Sequence, residues 1–580
     1  MPNEPQLTYK FKLAVDGSPV PVDVDDAVVS VVVDDNLNLP DLFLATFRDP
    51  VRDVLERSRI KIGSVVVVKV FSDDSPAGES LIEAEVTAVE AEYDAEGTLT
   101  VVRGYDHSHR LFRGRFTETY QNMTFSDIAG RVAQRAGLRS GRIDSTSQVH
   151  DHVSQVNQND WTFLWRMARE VGYEVAVVEG KLDFRRPAES AGAPGRGNLS
   201  SQHPMELTYG ANLLRLTAAV TSSEQVSQVE VRGWDMSAKE AVVGNAPART
   251  LSADIGTTPD ELAGLFGGPT YVGAGTPYTT QAEVDAAATA TAEQIAGAFA
   301  ELNGVARGNP KLRAGTAVSL SLVKDPFDGK YILTSTRHTY DPRRGYEVRF
   351  SASGRQERSL LGLTAGSADG TFHVEGVATA LVTNVADPED LGRVKLTFPW
   401  LAEDYESDWS RIASPGAGHD RGLVTLPEVN DEVLVAFDRG DMRRPFVVGG
   451  LWNGRDTPPL GDGLVDGSSG AITRRGFVSK LGSRLIFFDD ASKDGIALHS
   501  SDEKLRISMN NSDVTIKITS EGKIEITGSE DVTVEGKNLQ LKASQNLKIE
   551  AGMKLEMSGQ QVSLDGKAAV AVTGKPIQLN

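Results

Sequence analysis

Two histidine pairs, His107/His109 and His150/His152, and one acidic loop, Glu403, Asp404, Glu406 and Asp408, carry the residue types and spacings best suited to chemistry in this chain. Histidines at i and i+2 would place two imidazoles on one strand face, the beginning of a metal site. No third histidine or carboxylate is assured beside either pair, so exposed strand or loop histidines are the expected reading and a metal site is the alternative. Paired carboxylates can hydrolyse glycosidic bonds. That chemistry needs a sugar-lining cleft, and a solvated acidic loop is the plainer alternative. Asp490, Ser492, Asp494 and Gly495 imitate the start of an EF-hand loop, but its twelfth position is Ser501 and the flanking text is strand-like, so a hairpin turn is expected there. Gly461-Asp462-Gly463 has no preceding strand and reads as a loop. No Gly-Lys-Ser/Thr phosphate loop, His-Glu-x-x-His helix or Gly-x-Ser-x-Gly elbow occurs. The expectation is a chain with no catalytic residues, no metal and no cofactor.

The elements carrying these residues belong to a long chain without covalent braces. Its 580 residues suggest, at about 150 per domain, roughly four folded units. There is no cysteine, which excludes disulfides, thiolate nucleophiles and cysteine-held zinc or iron–sulfur centres. With 80 acidic and 60 basic side chains, a formal net charge of -20, nucleic acid is not an expected partner. Met1–Lys10 shows no basic-then-apolar signal, and the run Val65–Val70 is far too short for a membrane span. Synthesis in the cytoplasm is therefore expected, with any action outside the cell depending on other machinery.

The patterning predicts a mainly β chain with a small α/β insertion. Segments 8–34 and 60–104 alternate like strands. Thr124 with Asp127 then forms a capping-box pattern before Phe125, Ile128, Val132 and Ala136, and Asn159 or Asp160 can cap a second helix through Val171. Residues 187–200 suit a linker. Strands resume around 204–250, and a helical face of Val284, Ala288, Thr291, Ile295, Ala298 and Leu302 is expected to close at Asn303-Gly304. Residues 370–453 have the size and short strands of an OB-fold barrel.

The C-terminal region is a repeat. Ile516/Ile518, Ile524/Ile526, Val532/Val534, Leu539/Leu541, Leu547/Ile549, Leu555/Met557, Val562/Leu564, Val570/Val572 and Ile577/Leu579 recur at steps of seven or eight residues. Four positions after the first member of the first eight pairs stands Ser520, Gly528, Gly536, Ala543, Ala551, Gly559, Gly566 or Gly574. Each unit is one short strand and one tight corner, with Lys, Glu, Thr or Ser on its other face. One such strand cannot bury its own apolar side. Three identical chains wound together would supply the missing walls and bury the first eight pairs as a trimer core, giving an intertwined trimeric β-helix roughly 40 Å long at ~4.8 Å per strand. A single-chain solenoid or the edge of a sandwich is the alternative. The last segment, Lys575, Pro576, Ile577, Gln578, Leu579 and Asn580, is expected to offer apolar strand ends to a separate tip protein, unless the end frays and caps itself.

The block 383–453 closely resembles the OB-fold of VgrG proteins and of the central spikes of contractile phage tails. The matching positions are Asp387, Pro388, Gly392, Arg393, Pro399, Trp400, Trp409, Pro415, Pro427, Glu428, Glu432, Phe437, Gly440, Asp441 and Pro445, in the family's order and spacing. Upstream, Gln121-Asn122-Met123-Thr124, Asn159–Leu164 and Gly308–Gly315 resemble the phage hub portion. The resemblance implies hub β-barrel domains at 1–110 and 201–365, the α/β insertion and linker at 111–200, the OB-fold at 370–453, a β-rich connector at 454–505 and the β-helix needle at 506–580. It further implies a homotrimer that caps and nucleates an inner tube, meets baseplate proteins through its N-terminal ring, carries a PAAR-type cone and pierces a target envelope. Asn38-Leu39-Pro40-Asp41-Leu42-Phe43 and the ending Gly574-Lys575-Pro576-Ile577-Gln578-Leu579 resemble spikes of extracellular contractile injection systems more than type VI secretion VgrGs. A particle acting outside the cell is thus expected, with a type VI spike, a tail-associated glycan hydrolase and a receptor-binding fibre as alternatives.

Overall fold

The computed structural model describes residues 9–578 apart from 73–74, 96, 196–202, 355–373, 375, 403, 461–463 and 491–492. The chain divides into two compact units, Met1–Asp456 and Thr457–Asn580. Alternating Val, Phe and Thr text in the first unit forms one eleven-stranded sheet. Its order is Leu213–Val220, Ala300–Arg307, Gly345–Ala352, Ser335–Asp341, Val28–Asn36, Leu42–Arg48, Gly97–Asp106, Ser75–Asp94, Val65–Ser72, Lys10–Val15 and Ser18–Pro19. Strands from the segments 1–110 and 201–365 therefore share one sheet. The seam is antiparallel, with Val33 opposite His338. Its cause is a continuous core in which Phe11, Phe43 and Val68 from one segment pack with Leu302, Val348 and Phe350 from the other. Phe11 also stacks on Tyr340, with ring centroids 4.4 Å apart.

A three-stranded sheet, Glu240–Pro247, Gln228–Asp235 and Thr270–Gly273, carries the helix Gln281–Gly297. Thr280 and Glu283 form its capping box, and Val284, Ala287, Ala288 and Ala292 fill its buried side. Gly244 permits the close approach: a Cβ there would lie 2.3 Å from the Val284 carbonyl oxygen. The helix ends at Gly297 rather than at Asn303. Ala300–Arg307 is a strand instead, paired on both sides and burying Ala300, Leu302, Gly304 and Ala306 in alternation. Two-sided backbone pairing with period two overrides the helical spacing of Ala298 and Leu302.

The insertion contains the paired strands Phe116–Met123 and His150–Gln158, two helices, and a sheet of Glu174–Val178, Lys181–Arg185 and Arg139–Ile143. Thr124 and Asp127 form the capping box of Phe125–Arg135. Asn159, not Asp160, caps Asp160–Glu170 by accepting from the Thr162 N–H at 2.8 Å. Leu111, Ile128, Phe163, Leu164 and Phe184 form its core. The OB block is a five-stranded sheet ordered Lys395–Thr397, Val377–Asn384, Glu432–Phe437, Pro445–Gly450 and Arg411–Ile412. Val156 of the insertion joins its core of Val382, Leu396, Phe398, Val433 and Val435.

The second unit begins with an antiparallel meander, Arg474–Val478, Arg484–Asp490, Lys493–His499, Leu505–Asn510 and Thr515–Ser520. The meander crosses the expected connector-to-needle boundary at 505/506, because Leu505–Asn510 and Thr515–Ser520 pair within the chain.

Candidate functional site

The residues suggestive of chemistry do not gather into one site, although His152 meets the acidic loop. His107 and His109 lie in a 3-10 turn, His107–Phe112, not on a strand. The buried His109 meets Glu85 through Nε2 at 2.7 Å, while Arg110 holds the same carboxylate. That guanidinium, together with His109, pulls the Glu85 pKa down to about 2. His150 and His152 do share a strand, but His150 stacks on Phe125 and His152 Nε2 meets the Glu406 carbonyl oxygen at 3.0 Å. In the acidic loop, Glu406 accepts from Lys395 Nζ and Thr383 Oγ1, both at 2.9 Å, and Asp408 Oδ1 accepts from the Trp409 N–H. These contacts tie Glu406 and Asp408 into the loop; Glu403 lies outside the described residues. Asp490 and Asp494 sit in the expected hairpin, where Asp490 pairs with Lys493 and Asp489 with Asp494. Ser492 and Gly461-Asp462-Gly463 lie outside the described residues.

The OB motif has a structural explanation. Asp387 accepts from the backbone N–H groups of Glu389, Leu391 and Arg393, and from Arg393 Nε and Nη2 at 3.0 and 2.7 Å. The Arg393 guanidinium holds the Asp387 carboxyl far below the usual carboxylate range. Gly392 takes a left-handed φ of 71° inside this loop. Trp400 donates its indole N–H to the Thr379 carbonyl, Lys395 Nζ lies over the Trp409 ring, and Glu432 accepts from Asn453 Nδ2. Pro388, Pro399, Pro415 and Glu428 stand at the surface, whereas Phe437, Asp441 and Pro445 are buried.

The turn Asp438–Pro445, which includes Gly440 in a left-handed φ of 78°, clamps the barrel to its neighbours. Asp441 chelates Arg443, and Arg443 Nη1 reaches Glu170 of the insertion at 3.3 Å. Arg444 donates to Thr279 Oγ1 and Arg439 to the Thr276 carbonyl, beside the helix Gln281–Gly297. Tyr405 and Ser154 hydroxyls meet at 3.3 Å. Sequence reasoning missed Arg443, Arg444, Glu170 and Tyr405; the Arg443-Arg444 doublet, separated from Asp441 by Met442 alone, was the available signal.

In the second unit, the chain bends immediately after each of Ser520, Gly528, Gly536, Ala543, Ala551, Gly559, Gly566 and Gly574. Among the described residues 523–578 no strand pairs within the chain. The burial expected of the repeat's apolar pairs is absent from the single chain. Ile524 and Ile526, Val532 and Val534, Leu539 and Leu541, and Leu547 and Ile549 are all exposed. So are Leu555 and Met557, Val562 and Leu564, Val570 and Val572, and Ile577, and the whole series lies between 48% and 78% exposure. The physical reason is that each short strand turns a corner without meeting a second layer of its own chain, so nothing within one copy covers the apolar side. On the opposite face, Lys548 pairs with Glu550 at 2.6 Å and Lys554 with Glu556 at 2.5 Å. Ile516 and Ile518 differ in place, since they belong to the last strand of the meander, but they too are exposed. Lys575 and Pro576 form the last bend and Ile577 and Gln578 follow it; Leu579 and Asn580 lie outside the described residues.

The family model for the type VI secretion system/phage-baseplate injector OB domain matches residues 378–452, the barrel just described. A second, the Alg8 N-terminal domain, matches residues 81–341. Type VI secretion system spike protein VgrG5 of Pseudomonas aeruginosa is 22% identical over 459 residues, covering 71% of this chain and 55% of that protein. Actin cross-linking toxin VgrG1 of Vibrio cholerae is 27% identical over 190 residues, covering 30% of this chain and 17% of that protein. Residues 378–452 thus match the injector OB domain, and most of the chain is similar to VgrG spike proteins. The chain spans about half or less of the length of these curated VgrG relatives. The solved Francisella PdpA-VgrG complex, half-lidded, is similar in fold at a TM-score of 0.53 and 9% identity, covering 90% of each chain.

Proposed function

We propose that this chain is the structural hub-spike of a contractile injection machine, a homotrimer that caps and nucleates the inner tube and punctures the target envelope on sheath contraction. The observation carrying this reading is the C-terminal repeat. Its apolar pairs, corners and outward charges recur in register, yet among the described residues 523–578 one chain forms no paired strand and leaves the apolar face exposed. Three chains winding around a common axis supply each strand with neighbours and bury the apolar pairs. Separating such a shaft requires unwinding all three chains together, which gives kinetic stability without a disulfide. The protein then acts by rigidity, transmitting the force of contraction, and not as an enzyme.

The N-terminal ring would meet inner-tube and baseplate proteins, and Lys575–Asn580 would seat a PAAR-type tip protein. We place the spike in an extracellular contractile particle on the strength of Asn38–Phe43 and the ending Gly574–Leu579. A type VI secretion spike is the second reading, favoured by the curated relatives named for that system. A sheath, tube and ATPase gene set beside this gene decides between them.

The test is electrophoresis of the unboiled full chain in SDS. A band at three times the chain mass that collapses on boiling is expected, with no clearing of cell-wall material in a zymogram. A monomer band without boiling, or clearing, would refute the proposal. Deleting 575–580 should abolish capture of the tip protein and leave the trimer intact.

A further inference from the structure

One face of the eleven-stranded sheet packs on the core, and the other carries half-buried Val32, Leu42, Leu44 and Val305 among exposed arginines. Residues directly opposite one another on paired strands share a face. The register therefore places Arg215, Val305, Arg349, Arg337 and Asp34 in one row across five strands. Arg307, two positions along from Val305, projects from the same face. Arg337 and Arg349 are thus directly opposed like charges, which destabilise a sheet unless an anion lies between them.

Little within the chain neutralises this row. Asp34 Oδ1 lies 3.5 Å from Arg337 Nε. Among the described residues no carboxylate reaches ion-pair distance of Arg215, Arg307 or Arg349, and none of these three side chains makes a hydrogen bond. The nearby carboxylates are mostly engaged: Glu301 has a partner of its own, Asp341 meets Arg344, and Asp35 is held by Arg313. Glu347 stands opposite Arg307 without pairing to it. Four guanidiniums therefore face two carboxylates, Asp34 and Glu347, in a chain whose formal net charge is -20. Between this face and the loop 36–40 runs a groove of about 470 Å³. Arg337 and Arg349 stand in it beside Asn303, Ser335 and Ser351, with Leu39 and Pro40 as its apolar wall. Ser351 Oγ donates to Asn303 Oδ1 at 2.9 Å, which leaves the Asn303 amide nitrogen as a further donor.

We propose that this face docks an acidic segment of a protein partner, its carboxylates bridging Arg337 and Arg349 in the groove and reaching Arg215 and Arg307 along the sheet. Charge complementarity carries the assignment, because an acidic chain leaves these cations unpaired on one open face. Guanidinium forks match carboxylates through paired hydrogen bonds, and Leu39 and Pro40 can cover the aliphatic stems of the acidic side chains. A nucleic acid fits less well. Phe350, the ring in the groove's lining, is buried in the core beyond the sheet and offers bases no stacking platform. The site lies in the first compact unit, and its test does not depend on the shaft or on puncture.

Fluorescence anisotropy of the full-length protein with fluorescein-labelled octaglutamate tests the assignment, with octaglutamine and a single-stranded oligothymidine of matched charge as comparisons. Saturable octaglutamate binding is expected, weakening as salt rises from about 0.05 to about 0.3 M, with none for octaglutamine and weaker binding of the oligothymidine. Arg337→Gln combined with Arg349→Gln should weaken it at least about 10-fold, as expected for loss of charge-assisted hydrogen bonds, with the oligomeric state in solution unchanged. Lys537→Gln combined with Lys542→Gln removes two exposed charges from the repeat and should leave the affinity within about 2-fold, since distant charges are screened. Arg349→Glu alone, at an exposed side chain without a hydrogen bond, should also weaken binding and decides the matter if the double arginine variant does not fold. Absence of saturable octaglutamate binding, equal or tighter binding of the oligothymidine, or unchanged affinity in either folded arginine variant would overturn the proposal. So would a changed oligomeric state in those variants, which would assign this face to a second copy of the chain.

Discussion

Truncating one apolar residue of the repeat, Leu547→Ala, should weaken the whole assembly out of proportion to its size. In the single chain Leu547 is 59% exposed and its partner Ile549 55%. If that were their working environment, removing the side chain would change stability by no more than about 0.5 kcal/mol, as for other surface positions. In a three-chain shaft the same side chain is buried, and Leu→Ala in a packed core costs about 2–5 kcal/mol. One substitution enters three times, so the trimer should lose about 6–15 kcal/mol. If half of that loss appears in the unfolding barrier, about 3–7 kcal/mol, dissociation accelerates more than 100-fold at 1.36 kcal/mol per decade. The neighbouring Lys548 provides the internal control, because it faces outward and pairs with Glu550. The assay is the half-life of the SDS-resistant species at a fixed temperature for wild type, Leu547→Ala and Lys548→Ala. Lys548→Ala should stay within a few-fold of wild type. Equal half-lives for Leu547→Ala and Lys548→Ala would refute the reasoning.

Other parts of the chain make independent predictions. Asp387→Asn removes a carboxylate that accepts from three backbone N–H groups and from Arg393, and should cost about 3 kcal/mol by the usual worth of charged hydrogen bonds; chemical denaturation monitored at the barrel tryptophans reads it. Because its folded-state pKa is depressed, the Asp387 contribution is present above about pH 4, the ordinary carboxylate value, and is lost as pH falls. Asp106 behaves oppositely: burial, reinforced by Asp35, raises its pKa to about 7, with Ser108 donating to it, while Arg313 holds the adjacent Asp35. The folded chain therefore holds that proton longer than the unfolded one, and stability should fall as pH rises from about 4 to 7. Asp106→Asn should flatten this part of the profile of thermal midpoint against pH; an unchanged slope would contradict it. Gly244→Ala puts a Cβ against the Val284 carbonyl oxygen and should lower stability by about 1–3 kcal/mol, as overpacking does.

Much of this architecture was legible because its signals are local. The capping box at Thr124 and Asp127, the Asn159 cap and the corners after Gly528, Gly536 and Gly559 depend on residues within a few positions of one another. Long-range pairing was harder to read. Leu302 continued the helical spacing from Val284, but it belongs to a strand held by partners on both sides, 213–220 and 345–352. The seam between Val28–Asn36 and Ser335–Asp341 joins residues about three hundred positions apart, and no local pattern announces it. His107 and His109 show the limit for chemistry: their spacing suited a strand, whereas Glu85 draws His109 into a turn. The Arg443 clamp escaped because its meaning depends on Glu170, which lies on another element.

The most direct measurement is amide hydrogen exchange across residues 523–578 of the assembled full-length protein. Within one chain these residues have no paired strands among those described. Winding between chains predicts protection lasting hours to days throughout the repeat, interrupted at the corners after Gly528, Gly536 and the other small residues. Complete exchange within seconds to minutes along the whole segment, in protein confirmed to be folded, would contradict the intertwined shaft.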